Sequence, residues 1–341
     1  MFNKTHNHRS RGNSVHMRRN AIFLLLALIL FAALAATYFC HVQRSDTQAR
    51  GIENNQIGYL KRVEYNGSTY VEKTGITTIL LLGVDDNDIS IDYGARRGGQ
   101  ADFQLLLVVD HENHCVYQLQ IDRDTITDVE ALGIFGNSLG KQPMQICLAH
   151  AFGITEEECD LHAVQAVEDL LPGLKVDIYL TFDLASIGLF NDAIGGTTVT
   201  LADDFTSLDP AMAKDTTLTL NGRQAEIFVR TRMEIGDGTN ASRMQRHRAF
   251  LTAAVDKITV LAHEDVNFLD SLLDTLDNDM TSNVGRGRIL NEANMAFNYR
   301  IMPMETLKGI HLIGKDGFME FHLEENAAND WVIRVLYEPC K

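Results

Sequence analysis

The sequence predicts an α/β protein: a layered α-β-α domain with a central mixed sheet, preceded by one N-terminal transmembrane helix. Three observations predict it. Apolar runs of strand length occur at residues 77–84 (TTILLLGV) and 103–109, with a third, more alternating one at 115–121. Downstream, segments with apolar residues at helical spacing alternate with further strand-like stretches, a pattern that layers helices on a sheet. Upstream, residues 21–40 (AIFLLLALILFAALAATYFC) form an uncharged apolar run. As a helix it spans roughly 30 Å, the thickness of a bilayer core.

The flanks orient that run. Lys4, Arg9, Arg11, Arg18 and Arg19 precede it with no acidic residue among them. The positive-inside bias keeps residues 1–20 in the cytoplasm and sends the rest outward, as a single-pass cell-membrane protein. Ala33-Leu34-Ala35 resembles a signal-peptide cleavage site. The run is longer than the usual signal core of about 7–15 residues, so it reads as an uncleaved anchor. The whole chain carries a formal charge of −16, so with those five charges inside, the exterior part carries −21. That excludes a general nucleic-acid binder, which needs a broad basic face.

Residues 41–75 read as a polar juxtamembrane spacer with one strand at 68–72. Residues 76–262 read as the extracytoplasmic domain. Its three apolar runs look like strands covered on both faces, and His111-Glu112-Asn113-His114 is a hairpin-like turn between the second and third. A helix at 161–171 stops at Pro172-Gly173. A strand at 176–182 precedes a helix at 184–194 that ends at Gly195-Gly196. Residues 197–201 read as a strand, 221–229 as a short helix or strand, and 244–262 as a long amphipathic helix. Residues 263–341 read as a helical extension packed on the domain, with helices at 268–276, 288–298 and 326–337. Cys147 and Cys159 are close enough in sequence to bridge outside a cell, or are two small buried apolar residues; the odd total of five cysteines leaves both open. No cysteine–histidine set has zinc spacing.

The chemistry concentrates in two places. Arg230, Arg232, Arg243, Arg246 and Arg248 fall within nineteen residues of an acidic chain. Arg230 and Arg232 alternate, and in a strand would point to one side. Asn240 or Ser242 is placed to cap the following helix. Arg243, Arg246 and His247 then share one face near its N-terminus. Arginines there oppose the helix dipole unless an anion neutralises them, which points to a bound phosphate. Arg248 lies off that face and reads as solvated. The second place is the strand ends. Asp85 ends the first strand and Asp102 begins the second, so antiparallel neighbours would put both carboxylates on one sheet edge. Such a pair can hold Mg²⁺ together with phosphate oxygens. Arg123 and Asp124 end the third strand, and an arginine there can grip phosphate bidentately.

Seven stretches in order, TILLLGVD (78–85), ADFQLLLV (101–108), QIDRDT (120–125), AHAFG (149–153), DAIGGTTVT (192–200), LNGRQAEIFVRTR (220–232) and NASRMQRH (240–247), resemble the LytR-CpsA-Psr family. The resemblance covers roughly residues 76–255. It implies a membrane-anchored transferase that moves a glycopolymer of the teichoic acid or capsule type from a polyprenyl-pyrophosphate carrier onto peptidoglycan, with Mg²⁺ and an arginine cluster above an apolar lipid pocket. It places Asp85 and Asp102 at metal-associated positions and Arg123, Arg230, Arg232 and Arg243 at pyrophosphate-gripping positions, with Asp124 in the same motif. Three positions depart from the commonest pattern. Gln100 stands in place of arginine, Asn240 in place of aspartate, and His247 in place of glutamine; with Arg246 they are expected to contact substrate. A polyprenyl-phosphate-binding protein without turnover and a metal-dependent pyrophosphatase are the competing readings.

Overall fold

The computed structural model describes residues 61–85, 99–133, 135–184, 186–233 and 235–340. The apolar run at 21–40, the basic tail and most of the spacer lie outside them. Among the described residues no helix is long and apolar enough to cross a membrane.

A hairpin opens the described chain, β1 (Arg62–Tyr65) and β2 (Ser68–Glu72). An antiparallel meander follows: β3 (Ile76–Val84), β4 (Ala101–Asp110) and β5 (Cys115–Ile121). A second hairpin, β6 (Ile126–Leu132) and β7 (Ser138–Gln145), leads through a 3-10 turn at Ile146–Ala151 into helix α1 (Glu156–Leu170). Next come β8 (Ile178–Asp183), α2 (Ser186–Ala193), the short pair β9 (Thr198–Thr200) and β10 (Thr217–Thr219), and α3 (Gly222–Arg230). The long helix α4 (Asn240–Glu264) precedes α5 (Phe268–Leu276), β11 (Met280–Ser282), α6 (Arg286–Ala296) and β12 (Arg300–Glu305). The hairpin β13 (Gly309–Ile313) and β14 (Met319–Leu323), helix α7 (Ala327–Leu336) and β15 (Tyr337–Pro339) close the chain.

The central sheet has six strands in the order β11-β8-β3-β4-β5-β12. It is mixed: β8 runs parallel to β3 and β12 parallel to β5, while the other neighbours are antiparallel. Successive side chains of a strand face opposite sides. Leu80, Leu82, Leu106, Val108 and Leu119 pack on one face against α1 and α7 through Ala163, Val167, Trp331 and Val335. Ile79, Val109, Val116 and Ile178 take the other face, toward α6. Helices on both faces make the layered α-β-α arrangement. The two faces differ in packing. On the second, Leu81 and Leu107 are only partly buried, because an apolar cavity separates sheet from helices there.

Residues 263–341 hold the three expected helices, but also five strands. β11 and β12 are the two edges of the central sheet, so this region completes the sheet rather than lying on it as a helical layer. These strands are short and mixed in polarity, and β13 is almost wholly exposed. They lack the apolar runs that mark β3 to β5. The strand at 68–72 pairs with both β1 and β15. Cys147 is a buried free thiol, so the disulfide to Cys159 is absent and the small-buried-residue reading holds for Cys147.

Candidate active site

The meander decides which residues meet. Antiparallel β3, β4 and β5 place the end of β3, the start of β4 and the end of β5 at one edge. Asp85 N–H donates to Gln100 O at 3.1 Å. Gly99 permits this crossing: a Cβ on it would sit 1.8 Å from Asp85 O. Arg123, just past β5, brings its Nε to 3.1 Å from Asp102 Oδ1. Asp85, Asp102 and Arg123 therefore share one end of the sheet, as their strand-end positions predict.

Two helix ends complete the cluster. Asn221 caps α3 in a reciprocal capping box with Gln224, and the helix ends on Arg230. Arg230 Nη2 donates to Asp85 Oδ1 at 2.7 Å. The alternating-strand expectation for Arg230 and Arg232 is thus corrected: Arg230 closes a helix, and half-buried Arg232 turns its Nε toward Gly238 O at 3.4 Å. Helix α4 is capped by Thr239, whose hydroxyl accepts from Ser242 N–H at 3.2 Å, not by Asn240 or Ser242. Asn240 is already helical and buried. Its amide donates to Asp122 Oδ1 at 2.7 Å while its carbonyl accepts from Arg243 Nη2 at 2.9 Å. Arg243 Nη1 donates to Asp102 Oδ2 at 2.9 Å. Asp102 is thereby held between two guanidiniums.

Asp85, Asp102, Arg230, Arg243 and His247 line one cavity of about 150 Å³, with Phe103, Leu184 and Val229. Counting Arg123, Arg230 and Arg243 against Asp85 and Asp102, the cluster is positive within an acidic chain. Arg243 Nε is buried without a hydrogen-bond partner among the described residues. Unmet donors of this kind favour an anion. Asp85 and Asp102 are hard oxygen donors of the kind Mg²⁺ takes, each ion-paired to arginine in this structure. Among the described residues the acidic and histidine groups close enough together to share one ion are Asp122, Asp124 and His311.

Other expected site residues stand behind this lining. Gln100 Oε1 accepts from Arg123 Nη2, and Cys147 Sγ accepts from the same nitrogen at 3.0 Å. Burial pushes the Cys147 thiol up to about 11 although Arg123 opposes it, so it stays protonated. Asp124 is buried behind Arg123, and its Oδ1 accepts from Gln145 Nε2 at 3.0 Å. Burial and then the Asp122 charge raise its carboxyl above the usual range, against Arg123, Arg232 and Arg243. It does not line the cavity, which fits an orienting role for Arg123 at 3.8 Å. Arg246 is corrected more sharply. Its Nε donates to Phe228 O at 3.0 Å, Nη2 to Thr231 O, and Nη1 to Ser242 Oγ at 3.2 Å and Asp203 Oδ2 at 3.3 Å. It ties the start of α4 to the end of α3 and faces away from the cavity. Arg248 is half-buried, with Nη2 3.4 Å from Gln120 Oε1, rather than simply solvated.

His247 stands at a junction. Its Nε2 donates to Val229 O at 3.0 Å, and its ring packs edge-on against Phe103 at 5.5 Å. Burial first, then Arg243, pushes its pKa down to about 3, so it is neutral at pH 7. The unfolded chain takes up a proton between about pH 6.5 and 3 that the folded chain refuses, so stability falls as pH falls through that window. The expected slope is up to about 1.4 kcal/mol per pH unit, absent in His247→Gln. Urea unfolding at pH 7 and pH 5 for both proteins checks it; equal pH dependence in the two would remove the assignment.

Phe103, Leu184, Val229 and His247 also line a second cavity, of about 370 Å³. It runs between the sheet and helices α2, α4, α5 and α6, and its walls are almost all aliphatic or aromatic. The charged cavity and the apolar one thus share a wall. No periodicity could have separated these lining residues from ordinary core. His311 was not legible in the sequence: its Nε2 meets Asp122 Oδ2 at 2.9 Å across a separation that no local signal reveals.

The LytR_cpsA_psr family model matches residues 39–329. The chain belongs to the LytR-CpsA-Psr family. Among curated members it is 27% identical over 219 residues to Biofilm regulatory protein A of Streptococcus mutans, a match covering 61% of this chain and 50% of that protein. The chain thus spans about half the length of that relative. It is 24% identical over 265 residues to the polyisoprenyl-teichoic acid–peptidoglycan teichoic acid transferase TagU of Bacillus cereus, covering 76% of this chain and 78% of that one. Solved structures share the family fold. The Streptococcus agalactiae protein gbs0355 superposes with a TM-score of 0.62 at 22% identity, over 77% of this chain and 87% of that one. Bacillus subtilis TagV gives 0.60 at 19%, over 76% and 94%. TagT bound to LI-WTA gives 0.58 at 18%, over 77% and 90%.

Asn240 is the family departure with the clearest structural consequence. Its amide meets one carboxylate and its carbonyl one guanidinium, a pairing an ionised aspartate cannot make. Asn240→Asp sets two carboxylates together and is expected to cost about 1–3 kcal/mol of stability, largely recovered by adding Asp122→Asn. A double-mutant cycle by chemical denaturation measures the coupling; additive losses would show that the two side chains do not interact.

Proposed function

We propose that this chain is a membrane-anchored, extracytoplasmic transferase that attaches a phosphate-linked glycopolymer to peptidoglycan. The donor is carried on a polyprenyl pyrophosphate. One observation carries the reading: the arginine–aspartate cavity opens on residues it shares with the apolar cavity. An amphiphile with a pyrophosphate head and a hydrocarbon tail fits that pair. TagU's name describes such a transferase, and TagT has been solved bound to LI-WTA; both relatives support the same substrate class.

In the reaction a peptidoglycan hydroxyl oxygen attacks the sugar-proximal phosphorus. A new P–O bond forms, the bond to the bridging oxygen breaks, and polyprenyl phosphate leaves. Arg243 and Arg230 bind the phosphoryl oxygens and stabilise charge on the group in flight. Arg123 holds Asp102 in register, and Asp124 orients Arg123. Asp85 and Asp102 would hold Mg²⁺, which supplies charge neutralisation at the pyrophosphate when bound. Neutral His247 adds no charge to the wall facing the lipid. Phosphoryl transfer needs positioning more than strong base catalysis, and the attacking hydroxyl loses its proton to solvent at the open rim, where Arg230 is exposed.

The test supplies the purified full chain in detergent with lipid-linked polymer, peptidoglycan and Mg²⁺. Polymer joined to peptidoglycan is expected, with one polyprenyl phosphate released per chain joined. Free polymer phosphate would instead indicate attack by water, and an unchanged donor would leave a binding protein.

A further inference from the structure

Strand β4 measures the apolar cavity. Asp102 and Phe103 stand at its charged mouth, and Val109, six residues on, still lines it. At roughly 3.3 Å per residue the cavity runs about 20 Å along the strand. Its far end is polar. Glu292 of α6 lines the cavity, yet only 4% of it is exposed to solvent. Arg288 Nε lies 3.3 Å from its Oε1. His111, at the end of β4, brings Nε2 to 3.4 Å from Oε2. That nitrogen already meets Thr77 Oγ1 at 3.0 Å, and Glu292 Oε2 makes no hydrogen bond. The side chain of Arg288 is 53% exposed, so buried Glu292 stands between the cavity lining and a solvent-facing guanidinium.

A carboxylate at the end of an apolar cavity has a cost unless something offsets it. A hydrocarbon tail pushed against it would strip its remaining water without supplying a donor. We propose that Glu292, held by Arg288 and His111, is an end-stop that sets how much of a lipid tail the site accepts. An isoprene unit has four main-chain carbons and spans roughly 5 Å when extended at C–C bonds of about 1.5 Å. The cavity therefore takes about the first four units next to the phosphate, and the rest of a longer tail turns out of it. Glu292 is a specificity-determining residue, not a catalytic one. This rests on the lipid reading of the apolar cavity given above.

Polyprenyl monophosphates of two to twelve isoprene units, competed against a fluorescent short-chain prenyl phosphate on the full chain in detergent, test it. Wild-type affinity is expected to rise about tenfold or more from two to four units, then change less than about twofold from five to twelve. In Glu292→Ala the plateau moves to longer chains, while Glu292→Gln, equal in size, keeps it within one unit of wild type. Affinity that climbs steadily to twelve units in the wild type overturns the end-stop while leaving the lipid site intact. An unchanged plateau in a folded Glu292→Ala overturns the assignment to this residue. Absence of binding at every length, with the protein folded by circular dichroism, removes the lipid reading and the end-stop together.

Discussion

Arg243→Ala is expected to lower polymer transfer by about 10²–10³-fold, the size of effect seen when one preorganised charge-stabilising donor is deleted. The geometry explains why this arginine outranks its neighbours. It lines the charged cavity, touches Asp102 at 2.9 Å, and is fixed by Asn240. Its Nε has no hydrogen-bond partner among the described residues, so the side chain is aimed but not satisfied by them. Arg243→Lys is expected to recover little, because an ammonium is a compact point charge without the planar fork that here reaches Asn240 and Asp102 through separate nitrogens. Asp102 keeps Arg123 in either variant, so the fold should survive. Transfer from lipid-linked donor to peptidoglycan, read beside thermal unfolding, separates the two effects. Full activity in Arg243→Ala would place the phosphate elsewhere.

Arg246→Ala should produce the opposite profile, a large loss of stability through a residue that does not touch substrate. Only 4% of this arginine is exposed. It donates to two backbone carbonyls at the end of α3, to Ser242 and to Asp203, and its guanidinium lies 5.7 Å from the centre of the Phe205 ring. Truncation leaves those carbonyls and the carboxylate without their donor. The expected cost is about 3 kcal/mol, or a fall in Tm of roughly 6–12 °C. Differential scanning calorimetry checks it. At a temperature where the variant remains folded, its affinity for short prenyl phosphates should match wild type within about twofold; a selective loss of binding with stability intact would return Arg246 to the substrate site.

Much of the fold was legible for a definite reason. β3 and most of β4 are apolar on both faces, so the sequence shows long runs that only a covered strand needs, while β5 alternates with Gln118 and Gln120. Apolar spacing shows helix α1 only from residue 161; it begins at Glu156, where Thr155 and three glutamates in the first turn were the available signal. Helix α5 shows itself by its leucine spacing. The hairpin β6–β7 was not legible: β7 reads SLGKQPMQ, exposed and with a proline inside. β12 to β15 were hidden likewise, because an edge strand is held by backbone pairing that leaves little trace in side chains. For α3, the Asn221–Gln224 capping box was the available signal that residues 221–229 form a helix rather than a strand.

The candidate site divides along the same line. Sequence by itself determined its residue types: an acidic chain with a local excess of arginine, and acids at the ends of two apolar strands. Strand order was a supposition there: if the first two strands are antiparallel neighbours, Asp85 and Asp102 share an edge, and the hairpin into the third brings Arg123 back to it. Helical periodicity could place Arg243, Arg246 and His247 on one face, but it contains no information about what that face meets. Only the tertiary structure decided that Arg243 reaches the cavity, that Arg246 spends its donors on the end of α3, and that His247 stands neutral between charge and hydrocarbon. The apolar cavity and Glu292 at its far end belong wholly to the second kind. A residue lining an empty space and a residue packed in a core are equally apolar, and the difference lies in where the opposing helices stop.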